Sequence, residues 1–208
     1  MALKYDKLIT RIESAVSNNS LDSLVKFTSI PDQISNKLFD YQLVHLLDLL
    51  QSLQVNNFTI DGSDPGTGKT YITTAVCKIL NYVPIVICPN IVTSVWKRVF
   101  EYFGINKYEI LTYCSIKTGN TKYLEIIQAN ENTHVFKWKG INKQNILVFD
   151  EVHLANNITS LNGKLLLATK ELYVKKLLLS GTFADKPKTF SSIGFLLGLY
   201  KNPKSYNS

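Results

Sequence analysis

Lys69 and Thr70 close a run from Thr59 to Thr70 that reads TIDGSDPGTGKT. A lysine and a hydroxyl placed directly after glycines are the groups that hold a polyphosphate. The lysine reaches the β- and γ-phosphates and the hydroxyl ligates Mg2+. Gly62, Gly66 and Gly68 let the backbone curl so that successive N–H groups point at an anion, and a following helix adds its positive dipole end. The usual spacing, G-x-x-x-x-G-K-[ST], puts its first glycine at position 63, where Ser63 is small enough to serve. The candidate nucleotide contacts are therefore Ser63, Asp64, Pro65, Gly66, Thr67, Gly68, Lys69 and Thr70. A second constellation lies in NILVFDEVHLANN, where the apolar run Ile146 to Phe149 ends in Asp150 and Glu151. Two carboxylates thus emerge at the carboxyl edge of a strand, the edge where open α/β sheets bind ligands. Asp150 can hold Mg2+ through water and Glu151 can polarise an attacking water. An acid pair at a strand end is by itself compatible with a solvated loop. About 80 residues after a phosphate loop, it points to ATP and Mg2+.

The elements around these residues read as alternating strands and helices. Phe58 to Ile60 is β-prone and leads into the loop, and Tyr71 to Leu80 follows as a helix. Before them, Leu38 to Leu53 places Leu43, Leu46, Leu47, Leu50 and Leu53 at helical spacing. Gln42 near its start offers the donor and acceptor that can read an adenine edge, though a glutamine at a helix start is by itself more often plain surface, and His45 among leucines reads as a packed histidine. After the loop come a strand within Tyr82–Asn90, a helix from Ile91 to Gly104, a strand at Tyr108–Tyr113 and a helix over NTKYLEIIQAN. LNGKLLLATKELY predicts another helix, KKLLLSGTFADKP a strand ending in Ser180, Gly181 and Thr182, and FSSIGFLLGLYKN a last helix. Hydroxyl residues at that strand end can bond the neighbouring carboxylates or simply form a turn. In THVFKWKGINKQ, Val135, Phe136 and Trp138 interleave with Lys137, Lys139 and Lys143. That pattern suits stacking on unpaired bases, and equally an amphipathic hairpin on the domain's edge. The expected fold is α/β: a three-layer domain with a central parallel sheet and helices on both faces.

Composition narrows the class. The 208 residues are 45% hydrophobic and 19% charged, enough for one well-buried domain and short for two. No apolar run reaches membrane-spanning length, and MALKYDKLITRIE lacks the layout of a secretion signal, so an intracellular protein is expected, its compartment open. Cys77, Cys88 and Cys114 are odd in number and sit in apolar runs, which reads as reduced, buried thiols. The net charge of +7 favours a polyanionic partner, and a solvated lysine-rich surface accounts for it as well. Residues 1–36 read as a helical extension without chemistry. Usage rich in Asn, Lys, Ile and Tyr suggests an AT-rich genome, such as that of a large DNA virus or a parasite.

Loop, acid pair and Ser-Gly-Thr, in this order, resemble the first RecA-like lobe of superfamily 2 helicases and translocases: DPGTGKT resembles their motif I, DEVH their motif II and SGT their motif III. The chain is most similar to the Swi/Snf-type DNA-dependent ATPases, through LFDYQ, through IVICPNIVTSVWKRVF as motif Ia, and through LLLSGT. The resemblance covers roughly residues 38 to 200 and implies a P-loop NTPase lobe over 37–208. By it, Gln42 contacts adenine, residues 63–70 hold the phosphates, and Thr70 and Asp150 serve Mg2+. Glu151 and Lys69 act in catalysis, His153, Ser180, Gly181 and Thr182 couple nucleotide state to nucleic acid, and Pro89, Asn90 and Trp96 border the nucleic-acid path. Val152 stands where the family usually has Ala, and Asn90 where a basic residue is frequent.

Such motors close the nucleotide between two lobes, the second supplying an arginine. Each lobe takes roughly 150 to 200 residues, so a second RecA-like lobe is expected in cis or in trans, with a fragment of a longer protein preferred over a one-lobe product. The function expected is an ATP-binding lobe that hydrolyses Mg2+–ATP to move on nucleic acid, DNA favoured over RNA through the Swi/Snf resemblance. The competing reading is a one-lobe nucleotide-binding or partner-docking module without motor activity. A P-loop kinase is disfavoured because no acceptor site or lid is legible.

Overall fold

The structure, a computed structural model, describes residues 30–116, 121–130, 133–182 and 190–203, so most of the expected N-terminal extension lies outside the described residues. After a single helical turn at Asp32–Ser35, the chain forms α1 (Asp40–Val55), β1 (Phe58–Asp61), α2 (Lys69–Ile79), β2 (Val83–Cys88), α3 (Thr93–Phe103) and β3 (Glu109–Thr112). A hairpin of β4 (Leu124–Asn130) and β5 (Thr133–Trp138) precedes β6 (Asn145–Asp150), α4 (Leu161–Leu167), β7 (Lys175–Leu179) and α5 (Ser191–Leu196). The main sheet has five strands in the order β1-β7-β6-β2-β3, and all its pairings are parallel. This is the α/β arrangement that the alternation of elements predicts.

Side chains alternate along a strand, so a sheet covered on both faces needs two cores. On one face Val86, Cys88, Ile146, Val148, Leu177 and Leu179 pack with Leu46, Leu50 and Leu53 of α1, Ile72 and Val76 of α2, and Trp96 and Phe100 of α3. On the other, Ile85, Ile87, Leu147, Phe149 and Leu178 meet Leu165 and Leu166 of α4, Ile193 of α5, and the hairpin. The α3 helix ends where Gly104 takes φ +65°, a left-handed conformation that glycine adopts freely.

One sequence expectation is overturned and one open choice is decided. NTKYLEIIQAN is not a helix: β4 runs antiparallel to β5, pairing Leu124 with Trp138 and Ile126 with Phe136. Leu, Glu and Gln carry helix propensity, but Leu124 and Ile126 recur with the period of two that a half-buried strand needs, and pairing with β5 decides. Phe136 and Trp138 face the core, and the Trp138 indole N–H donates to the Leu165 carbonyl at 3.4 Å. They are not free to stack on bases, which leaves Val135 and the lysines as the exposed face of an edge hairpin.

The thiols also divide. Cys77 and Cys88 are buried, and burial pushes both up to about 12, whereas Cys114 is exposed, contrary to expectation. At pH 9 the folded chain should therefore take up one equivalent of iodoacetamide, at Cys114, and all three cysteines should react once it is unfolded. A second fast equivalent from folded protein would contradict this packing.

Among the described residues, no helix is long and apolar enough to cross a membrane.

Candidate nucleotide site

All five parallel strands point their carboxyl ends to one edge, and four loops there carry the candidate residues. The glycine loop follows β1, Ser180–Thr182 follows β7, Glu151 follows β6 and Pro89–Asn90 follows β2. The sheet order sets these loops side by side although they are dispersed in sequence.

The loop is built on a buried acid. Asp61 ends β1, and its Oδ1 accepts from the Ser63 backbone N–H at 3.0 Å and from the Ser63 hydroxyl at 2.7 Å, an Asx-type turn. The same oxygen lies 3.2 Å from His45 Nε2 on α1. His45, read from sequence as a packed residue, is thus a partner of the loop's foundation. Thr67 Oγ1 donates to the Asp64 carbonyl at 2.8 Å and lies 3.0 Å from Ser63 Oγ. Lys69, the first residue of α2, directs its ammonium onto the carbonyls of Ser63 at 2.6 Å and Asp64 at 2.9 Å. Thr70 follows on α2 and is half-buried. Gly66 and Gly68 have φ +84° and +91°, the left-handed conformation that turns N–H groups toward a common centre.

Gln42 is nearly fully buried beside this loop. Its Oε1 accepts from the Phe39 backbone N–H at 3.0 Å, tightening the start of α1, and its Nε2 donates to the Thr67 carbonyl at 2.9 Å. The carboxamide therefore ties α1 to the loop, which leaves one amide hydrogen for a ligand. A Cβ on Gly68 would lie 2.1 Å from Gln42 Nε2, while one on Gly66 would meet open space. Gly66→Ala should cost about 1–2 kcal/mol from backbone strain alone. Gly68→Ala should cost more in a urea melt, with the excess disappearing in a Gln42→Ala background. Equal costs would contradict the clasp between α1 and the loop.

Asp150 sits at the end of β6, held at two points. The Trp96 indole N–H donates to its Oδ2 at 2.8 Å and the Tyr113 hydroxyl donates to its carbonyl at 3.0 Å. Burial raises the Asp150 pKa, opposed by the Trp96 bond and by the charge of Lys69. Tyr113 is itself pushed up by burial and by the Asp150 charge. Glu151 has φ +52° in the left-handed region, an uncommon conformation for a residue with a side chain and one found at functional sites.

A line of polar groups runs from that acid to β7. His153 Nδ1 lies 3.2 Å from Glu151 Oε2 and 3.1 Å from Ser180 Oγ. The Ser180 hydroxyl hydrogen is donated to the Thr182 carbonyl at 2.7 Å, so both neighbours of Nδ1, Glu151 Oε2 and Ser180 Oγ, are acceptors and the one Nδ1 hydrogen is shared between them. The Thr182 N–H returns to Ser180 Oγ at 3.2 Å. Gly181 closes against the glycine loop, since a Cβ there would lie 2.8 Å from Pro65 Cδ. The structure thus joins Glu151, His153, Ser180 and Thr182 in one hydrogen-bonded line and sets Gly181 on Pro65.

The donor set suits Mg2+. Among the described residues no group of three or more His, Cys, Asp or Glu could hold a metal alone. Magnesium ordinarily keeps several waters and is bound through one or two carboxylates plus substrate phosphates, so a lone acid such as Asp150 at a strand end is compatible with it.

The residues expected to border nucleic acid do not behave alike. Asn90 is exposed and Pro89 half-exposed after β2, whereas Trp96 is 0% exposed. Direct contact with a polymer is closed to Trp96, because its ring packs against Phe100 in the core and its N–H is spent on Asp150. Sequence reasoning missed His45, Asp61 and Tyr113. Only Asp61 carried a local signal, an Asp two residues before a Ser at a strand end.

No family model matches the chain. It is 30% identical over 197 residues to a protein of Acanthamoeba polyphaga mimivirus named as an ATP-dependent RNA helicase, a match that takes in 86% of this chain and 37% of the relative. Its fold is similar to the SWI2/SNF2 ATPase core of Sulfolobus solfataricus, solved in complex with dsDNA, with a TM-score of 0.52 at 20% identity over 80% of this chain and 36% of that one. The chain thus spans little more than a third of either protein.

Proposed function

We propose that the chain is a superfamily 2 helicase-like RecA lobe that binds Mg2+–ATP in the β1–α2 loop and hydrolyses it as the ATP-binding lobe of a nucleic-acid-dependent ATPase that moves on DNA. The observation that carries this reading is the joining of the three candidate stretches. Pro65 of the loop abuts Gly181, and Ser180 is linked through His153 to Glu151.

In this reading the loop N–H groups and the α2 N-terminus cradle the phosphates, Lys69 neutralises the transferred group, and Gln42 presents its remaining amide hydrogen to adenine. Thr70 and Asp150 would hold Mg2+, which when bound would offset the negative charge of the phosphates. Glu151 orients a water and takes its proton. Its contact with His153 lets a change at Ser180–Thr182 shift that carboxylate, so nucleic acid and hydrolysis share one hydrogen-bonded line. A second RecA-like lobe, in cis or in trans, supplies the arginine that this reaction class uses.

The substrate is nucleic acid, with duplex DNA our choice, because the similar SWI2/SNF2 core was solved with dsDNA. The mimivirus relative's name makes RNA the competing outcome. The test is steady-state ATP turnover of the full-length protein with no polymer, duplex DNA, single-stranded DNA and RNA in turn. The reading expects the largest rise with duplex DNA. A larger rise with RNA would move the substrate, and a rate indifferent to every polymer would contradict nucleic-acid dependence.

A further inference from the structure

The two tryptophans solve the same problem in different ways. A buried indole N–H needs an acceptor, and Trp138 finds an ordinary one, the Leu165 backbone carbonyl. Trp96 instead uses the side-chain carboxylate of Asp150, 54 residues away on another element, at the shorter distance of 2.8 Å. Its ring has little freedom. The Trp96 and Phe100 centroids are 5.5 Å apart and those of Phe100 and Tyr108 are 4.5 Å apart, an aromatic row held between α3 and the sheet. The donor is therefore presented from a rigid support to one oxygen of a carboxylate whose own backbone is held by Tyr113. A carboxylate that must meet the water shell of a metal with strict octahedral geometry gains from such support, because free rotation about its Cβ–Cγ bond would blur the position of the oxygen that faces that shell.

We propose that Trp96 is a positioning residue for the Mg2+ step: its indole N–H holds the Asp150 carboxylate in the orientation that receives the metal of the bound nucleotide. This rests on the nucleotide-binding reading of the site. It also assigns a different task to a residue expected to border nucleic acid.

Trp96→Phe keeps an aromatic ring against Phe100 and removes the donor together with the volume of the second ring, a packing cost that the melt and the EDTA arm report separately. Nucleotide affinity is measured in EDTA and across a Mg2+ titration, with folding checked by thermal melting. In EDTA the variant should bind ATP within about twofold of the parent, whereas the tightening produced by Mg2+ should shrink by about 10-fold or more, the scale of a hydrogen bond to a charged group. In an Asp150→Ala background the same substitution should change nothing further. An unaltered Mg2+ dependence would overturn the proposal, and so would an equal loss with and without Mg2+, which is what a general packing defect produces.

If Trp96→Phe does not fold, the unsubstituted chain decides by NMR of its two 15N-labelled indoles, with Trp138→Phe used to assign them. Adding Mg2+ to the ATP-bound chain should move the Trp96 N–H resonance and leave that of Trp138 in place. A Trp96 signal indifferent to Mg2+ would overturn the proposal. A parent chain that binds no ATP, with or without Mg2+, would remove the nucleotide reading itself, a separate outcome.

Discussion

Replacing Lys69 by alanine is expected to weaken Mg2+–ATP binding by at least about 100-fold, the effect of deleting one member of a charge-assisted contact to phosphate. Among the described residues the glycine loop presents no second cation. Lys69 is the cation that the loop itself presents, placed at the first turn of α2 where the backbone N–H groups also point. Arg98, on α3, belongs to another element. The ammonium's bonds to the Ser63 and Asp64 carbonyls tie the loop together, so a small loss of thermal stability should accompany the substitution. Titration calorimetry with ATP, beside a melt of each protein, separates the two effects. Equal ATP affinity in variant and parent would remove the loop from the nucleotide site.

Glu151→Gln should act on the opposite quantity. In the full-length protein kcat is expected to fall by about 10²- to 10⁴-fold, the usual contribution of a positioned general base, while the affinity for Mg2+–ATP stays within a few-fold. The amide keeps the size and one oxygen of the carboxylate, so the strained backbone at this position and the contact with His153 can persist, and what is lost is the ability to accept a proton. Rapid-quench measurement of a single turnover beside equilibrium binding checks the split. A variant that hydrolyses ATP at the parental rate would place the base elsewhere, and one that loses binding as well would assign Glu151 to the nucleotide pocket rather than to the water.

Local chemistry explains what could be read before any coordinates. The strand–loop–helix at Thr59–Thr70 and the apolar strand ending in Asp150 and Glu151 each specify themselves within a dozen residues, and the parallel sheet follows from the alternation of elements. The partnerships across elements were not legible. Gln42 was read for its hydrogen-bonding capacity, yet its partner is the Thr67 carbonyl 25 residues on. His45 looked like a core residue because its helix is rich in leucine, and only packing α1 against β1 brings it to Asp61. Resemblance alone sets Trp96 at the nucleic-acid border, and the fold puts its ring in the core. The error at β4 has the opposite cause, since helix-forming residues occupy a stretch whose partner strand lies beyond the reach of local propensity.

The central claim is that this edge of the sheet is a Mg2+–triphosphate site, and the most direct test is equilibrium binding of ATP and of AMP to the same chain with Mg2+ and with EDTA. The account predicts that ATP binds at least about 100-fold more tightly than AMP in Mg2+, because the loop, Lys69, Thr70 and Asp150 all act on the β- and γ-phosphates or their metal. It also predicts that EDTA removes most of that advantage. Equal affinity for ATP and AMP, or binding of neither, would contradict it.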